Sequence, residues 1–167
     1  MAATPPVVIA DAGPLIALAR LQALDLLPRL FGRVLITPTI REEMLPPGDF
    51  PGTAALQAAL DAGWLCCQAV SPTAERPLHP GVDPGEASAI ALALQSPEAL
   101  LLLDDRTGRA EARRRGIPFL GTAAVIGMAK LHGLIPAARP LLEQFRPIGY
   151  FISQEVIDAV LADIGEE

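Results

Sequence analysis

Cysteine, histidine and lysine are nearly missing from this 167-residue chain. The two cysteines, Cys66 and Cys67, are adjacent, whereas a disulfide framework or a thiolate metal site needs several at separated positions. Histidine occurs only at His79 and His132, which leaves a histidine-based zinc site or a Ser-His-Asp triad almost nothing to work with. No GxxxxGK[ST] or GxGxxG run occurs, so nucleotide-cradling loops are unsupported. No apolar stretch approaches the ~20 residues a membrane helix needs, because Asp61, the segment Gln95 to Glu98 and the pair Asp104–Asp105 interrupt the candidates. The opening MAATPPVVIADAGPLIALA has no basic residue before its apolar run and contains Asp11, so it does not read as a signal peptide. The expectation is a soluble, cytoplasmic protein with no membrane partner. Basic residues are also few, 13 against 19 acids for a net charge of −6, which on its face argues against a nucleic-acid partner. Any chemistry must lean on carboxylates.

What the chain does have is apolar residues, 51% against 19% charged, with a mean hydropathy of +0.38. That composition excludes a disordered chain, and the length suits one sizeable core. Val7 to Ala10 is a short apolar run rich in β-branched residues. It precedes Asp11-Ala12-Gly13-Pro14 and a helical stretch, one helix or two broken near Asp25 or Pro28. Val34 to Ile36 repeats the pattern and leads through Thr37-Pro38-Thr39 into a helix carrying Glu42 and Glu43. Gly52 to Ala62 reads as helix, Trp64 to Val70 as strand, and Ser71 to Pro84, with four prolines, as an exposed loop. A helix opens at Asp83-Pro84-Gly85-Glu86, and Ala99 to Leu103 is a strand ending in Asp104-Asp105. Arg106 to Arg115 reads as a basic helix, Ile117 to Leu120 as a strand and Thr122 to Leu131 as a helix. Strands that are apolar throughout and alternate with helices predict a parallel sheet covered on both faces. Two amphipathic helices follow, 137–145 and 153–164, the second with a stripe of Ile152, Val156, Ile157, Val160, Leu161 and Ile164.

In such a sheet, ligands bind beyond the carboxyl ends of the strands where the strand order reverses. Two of the most apolar strands end in aspartate, Asp11 and the pair Asp104–Asp105. Glu43 and Glu86 sit near helix starts that belong to the same rim. Crowded carboxylates take up protons unless a cation compensates. Oxygen-only ligands with room for phosphate suit Mg²⁺ or Mn²⁺, ions that activate water and stabilise in-line phosphoryl displacement. Each acid also has a structural reading. Asp11 could shape a turn, Glu42 would complete a Thr39-x-x-Glu capping box and leave Glu43 to the site, Asp83 and Glu86 form a similar box, and one of Asp104 and Asp105 caps the following helix. Arg106, Arg109 and Arg113 share a helical face beside the aspartate pair, where phosphate-steering arginine and a solvated face compete. Thr122 offers either a hydroxyl to the site or an N-cap.

The segments IADAGPLIAL at 9–18, TPTIREEML at 37–45, GEASAIALAL at 85–94, LLLDDRTGR at 101–109 and GTAAVIGMAKLHGLI at 121–135, in that order, resemble the PIN-domain family, in a branch related to VapC-type toxins. No single motif is specific, but the ordered set is. The resemblance implies a three-layer α/β/α sandwich with a central parallel sheet, forming one domain over 1–167. Its core spans about 7–135, with a C-terminal helical extension over about 136–167. It implies an endoribonuclease that hydrolyses phosphodiesters with Mg²⁺ or Mn²⁺, acting on RNA, silenced by a small antitoxin protein and often homodimeric. The catalytic acids map to Asp11, Glu43, Glu86 and one or both of Asp104 and Asp105, with Asp11, Glu86 and the Asp104–Asp105 pair as metal ligands, which of the pair being open; Arg106, Arg109 and Thr122, from their positions beside the pair, are the substrate-binding candidates. Gly13 departs from the serine or threonine of many members, and Glu86 from the aspartate of typical toxins. A catalytically weak or inactive PIN-like module that binds RNA or protein is therefore the alternative.

Other carboxylate-based α/β enzymes fit less well. A dehalogenase-type phosphatase needs a second aspartate two residues after the first, where this chain has Gly13, and a phosphoreceiver needs a lysine late in the sheet, whereas Lys130 lies inside a helical stretch. Setting the four proposed ligands aside leaves 15 acids against 13 bases, and residues 106–115 carry five arginines and one glutamate. The negative balance therefore does not count against RNA.

Overall fold

The computed structural model describes residues 5–71 and 80–167. Most of the loop expected over 71–84, and His79 with it, lies outside the described residues. The strands are β1 (Val7–Ala10), β2 (Val34–Ile36), β3 (Leu65–Cys67), β4 (Ala99–Leu102) and β5 (Phe119–Leu120). All pair in parallel, in the order β3-β2-β1-β4-β5. β1 lies at the centre, with Val8 opposite Val34 on one side and Leu100 on the other. Being covered on both faces, it has no solvent side to alternate toward, and Val8, Ile9 and Ala10 are all buried.

The helices are α1 (Ala12–Arg20), α2 (Leu26–Phe31), α3 (Pro38–Met44), α4 (Thr53–Ala62), α5 (Pro84–Gln95), α6 (Arg106–Arg114), α7 (Thr122–Leu131), α8 (Arg139–Glu143) and α9 (Gln154–Asp163). They complete the α/β/α sandwich expected from the sequence. α1 packs on α3 and α4, and α3 on α5, while α7 packs on α2, α8 and α9. Leu15, Leu18, Leu27, Ile90, Leu92 and Phe145 are fully buried in one continuous core.

Some local readings are settled and others corrected. The stretch after Pro14 takes one of its two expected forms, two helices broken near Asp25: Gln22 takes a left-handed φ of 57° and α2 starts after Asp25. Pro28 sits in the first turn of α2, where no helical N–H is lost. Thr37, not Thr39, caps α3, its hydroxyl accepting from Ile40 N–H at 3.2 Å, so Glu42 completes no Thr39 box. The strands expected over 64–70 and 117–120 shrink to Leu65–Cys67 and Phe119–Leu120, the short edges of the sheet.

The C-terminal stripe is narrower than its sequence pattern. Ile157 and Leu161 are buried, whereas Val156 is 37% exposed. α9 comes so close to α7 that a Cβ on Gly127 would lie 2.8 Å from Val160 Cγ1. Farther on, Glu166 accepts the N–H groups of Ala138 and Arg139 at 2.8 and 2.9 Å, tying the last turn to the start of α8. Because β1 is central, Ile9→Ala should cost about 2–5 kcal/mol in urea denaturation. Leu131→Ala, at a 65% exposed position, should stay within about 0.5 kcal/mol. Equal stability of the two variants would contradict this placement of the core.

Candidate functional site

The strand order reverses between β1 and β4, and there the sheet opens into a cleft of about 970 Å³. Asp11, Glu43, Asp83, Glu86, Asp104 and Asp105 line it, together with Arg106, Arg109 and Tyr150. The β1–β4 ladder runs on past the strands, Asp11 N–H donating to Leu102 O at 3.0 Å, which sets Asp11 beside the end of β4. α1, α5 and α6 begin at this rim, so their partially positive N-terminal ends face the acids.

Asp11 occupies the N-cap position of α1 without a side-chain capping bond. It is only 8% exposed, and its Oδ1 has no hydrogen-bond partner among the described residues. Burial pushes its carboxyl up to about 7; Asp83, Glu43 and Asp104 add repulsion, and the Ala12 N–H offsets part of it. Glu86 forms the expected box with Asp83, accepting weakly from Asp83 N–H at 3.4 Å while its own N–H donates to Asp83 Oδ1 at 2.8 Å. Yet it is also buried in the cleft, where desolvation first, and Asp83, Asp105 and Asp11 after it, raise its carboxyl to about 8. Capping and site membership coexist in this residue. Glu43 reaches over from α3 to the first turn of α5, and a Cβ on Gly85 would lie 2.5 Å from its Oε1. Its carboxyl is also raised, by desolvation and then by Asp83, with the Gly85 N–H opposing.

The paired aspartates have separate partners. Asp105 caps α6, accepting from Gly108 N–H at 3.0 Å. Asp104 accepts Thr122 N–H on Oδ1 at 2.8 Å and the Thr122 hydroxyl on Oδ2 at 2.5 Å. The Tyr150 hydroxyl donates to that same Oδ2, and Arg109 Nη2 lies 3.8 Å from Oδ1. Thr122 is thus not the N-cap of α7, a position held by Gly121; it serves Asp104 from behind.

The acids expected from the sequence meet in this cleft with Arg106 and Arg109. Asp83 and Tyr150 were missed as site residues. Asp83 was visible only as a capping partner, and Tyr150 carries no periodic or motif signal. The arginine-rich segment is not a uniform patch. Arg109 and Arg113 lie over the Phe119 ring at 5.2 and 5.3 Å, while Arg114 and Arg115 pair with the buried Glu111 at 2.8 and 3.0 Å.

The donor set suits a divalent cation in kind: it is all oxygen, strongly anionic, and includes a buried carboxylate oxygen with no partner. Among the described residues no three His, Cys, Asp or Glu side chains already stand as a metal cage, as expected of like charges with nothing to draw them together. Asp11 and Glu86 hold a proton more tightly folded, at about 7 and 8, than at their ordinary 3.8 and 4.5. Their contribution to metal-free stability is therefore complete below about pH 4 and is lost as pH rises through about 7–8. Asp11→Asn should accordingly stabilise the metal-free protein in urea at about pH 8 more than at about pH 5, and Mn²⁺ should stabilise wild type most at the higher pH. A variant effect independent of pH would contradict the assignment. Comparing variant with wild type separates this from Glu166, whose carboxyl the Ala138 and Arg139 N–H groups hold low.

A family model described as a PIN domain (DUF3368) matches residues 7–166. Among curated proteins, none matches closely enough to count as a relative. PIN domains are generally nucleases that use divalent metals, and an acidic cleft at the β1/β4 switch point is in keeping with that fold. The chain belongs to the PIN-domain family.

Proposed function

We propose that this chain is a Mg²⁺- or Mn²⁺-dependent endoribonuclease, the toxin component of a toxin–antitoxin pair. The observation that carries the reading is the buried, unpartnered Oδ1 of Asp11 amid Glu43, Asp83, Glu86, Asp104 and Asp105. Among the described residues nothing hydrogen-bonds that oxygen, and a divalent cation would meet it. Asp11, Glu86, Asp104 and Asp105 are the residues to hold it. When bound, it supplies an activated water and charge stabilisation for in-line displacement at phosphorus.

The protein's own groups do the rest. Thr122 and Tyr150 orient the Asp104 carboxylate, Glu43 stands across the cleft as a further carboxylate beside Gly85, and Arg106 and Arg109 meet the phosphodiester at the cleft wall. Catalysis rests on this positioning more than on any nucleophilic side chain. The exposed Phe151 and Val156 at the cleft mouth, and Leu131 and Phe50 elsewhere, suit an antitoxin chain and a second copy. No helix among the described residues is long and apolar enough to cross a membrane; a cytoplasmic location and a single domain over 1–167 belong to the same proposal.

A single-stranded RNA cleaved with Mn²⁺ tests the proposal. Asp11→Asn and Glu86→Gln should each lose more than about 100-fold in kcat, beyond the cost of an outer partner of a ligand, and chelation should abolish cleavage. With Arg106 and Arg109 as the phosphate contacts, the logarithm of affinity should fall with log salt at a slope of about −1 to −2. Undiminished cleavage by Asp11→Asn, or binding indifferent to salt, would refute this. The second reading, a non-catalytic PIN-like module, is favoured by Gly13 and Glu86, which stand where the family resemblance implies a serine or threonine and an aspartate; a folded protein that gives no calorimetric signal with Mn²⁺ would select it.

A further inference from the structure

The C-terminal segment brings into the cleft a residue that neither the sheet nor its helices supply. Tyr150 N–H donates to Phe145 O at 3.0 Å and Gly149 N–H to Arg146 O at 2.9 Å, with Gly149 at a φ of 82°. This is the Schellman pattern, which wants a glycine at the left-handed position. The apolar contact that accompanies the motif is Tyr150 on Phe145, ring centroids 5.8 Å apart, and Phe145 is fully buried. The ring is thereby anchored, and its hydroxyl is carried to Asp104 Oδ2. Position 13 leaves the space. A Cβ on Gly13 would stand 3.3 Å from the Tyr150 hydroxyl, a contact tight enough that a side chain there would press on it.

The geometry points to Tyr150 as a positioning residue for the metal-ligating carboxylate of Asp104, with Gly13 as the gap that admits its hydroxyl. This rests on the metal-dependent reading of the cleft. A carboxylate amid like charges turns away from its neighbours unless it is held. Thr122 holds Asp104 from the start of α7 and Arg109 from α6; Tyr150 holds it from the C-terminal segment. A phenol does so without adding positive charge, so the carboxylate keeps its attraction for a cation while its direction is fixed.

Tyr150 is the chain's only tyrosine, so the Raman tyrosine doublet of the metal-free protein reports this hydroxyl alone. Wild type should show the signature of a strong donor, and Asp104→Asn should weaken it. In calorimetric titration with Mn²⁺, Tyr150→Phe should bind about 10- to 100-fold more weakly than wild type, while the metal-free protein, anchored by the retained ring, stays folded with a melting temperature lowered by only a few degrees. Adding Gly13→Ser to Tyr150→Phe puts a hydroxyl beside the vacated position and should recover most of the affinity. A missing donor signature, an unchanged Mn²⁺ affinity in Tyr150→Phe, or a loss that the serine does not recover would each overturn the inference. Wild type that shows the donor signature yet binds no Mn²⁺ would instead overturn the metal reading on which it rests.

Discussion

Repulsion among carboxylates gathered at one end of a parallel sheet is the constraint to which the rest of the site answers. Strand direction alone brings Asp11 and Asp104 side by side, since β1 and β4 run in register and end together. The surroundings then soften the cost. Helix N-termini face the cleft, backbone N–H groups reach Asp11, Glu43, Asp104 and Asp105, and glycines stand where charged groups come closest to the chain. A Cβ at Gly85 would strike the Glu43 carboxylate, one at Gly108 would crowd Glu86 at 3.2 Å, and one at Gly121 would lie 2.1 Å from Arg109 Nη2. These glycines serve close approach rather than backbone freedom. What the surroundings leave uncompensated, above all at Asp11 and Glu86, is what a cation would meet.

The fold was legible because a sheet buried on both faces writes itself as uninterrupted apolar runs. VVIA and ALLL needed no alternation, and an aspartate after each marked the functional edge. The acids could be chosen from the sequence since topology, not side-chain detail, brings them together. Other features depend on contacts that no local pattern encodes. Asp83 had an adequate role as a cap and gave no sign of a second. Thr37 outcompeted Thr39 for the start of α3 because Pro38 already occupies the first turn. Glu111 read as one acid among arginines, yet it is buried and pairs with two of them. Tyr150 arrives from 46 residues beyond Asp104 along the chain, a distance over which sequence spacing carries no information.

The C-terminal helices are more than an appendage to the sandwich. α9 docks on α7 through the notch at Gly127, and Glu166 clasps the start of α8. The segment between these anchors carries Tyr150, Phe151 and Ile152 along one wall of the cleft. The same α7 that receives α9 also presents Thr122 to Asp104. Tail and site therefore share a helix, and the packing of one bears on the geometry of the other.

The position of β1 has a consequence for how the molecule comes into being. The first strand made is the middle strand of the finished sheet, and its partner β4 lies far along the chain, Ala10 pairing with Leu102. Sheet closure therefore waits for a long loop to find its ends, the kind of non-local step that slows folding. That same closure sets Asp11 against Asp104 and the other acids. The cleft is therefore assembled only when the first and fourth strands have met, and no part of it exists in a chain whose sheet is still open.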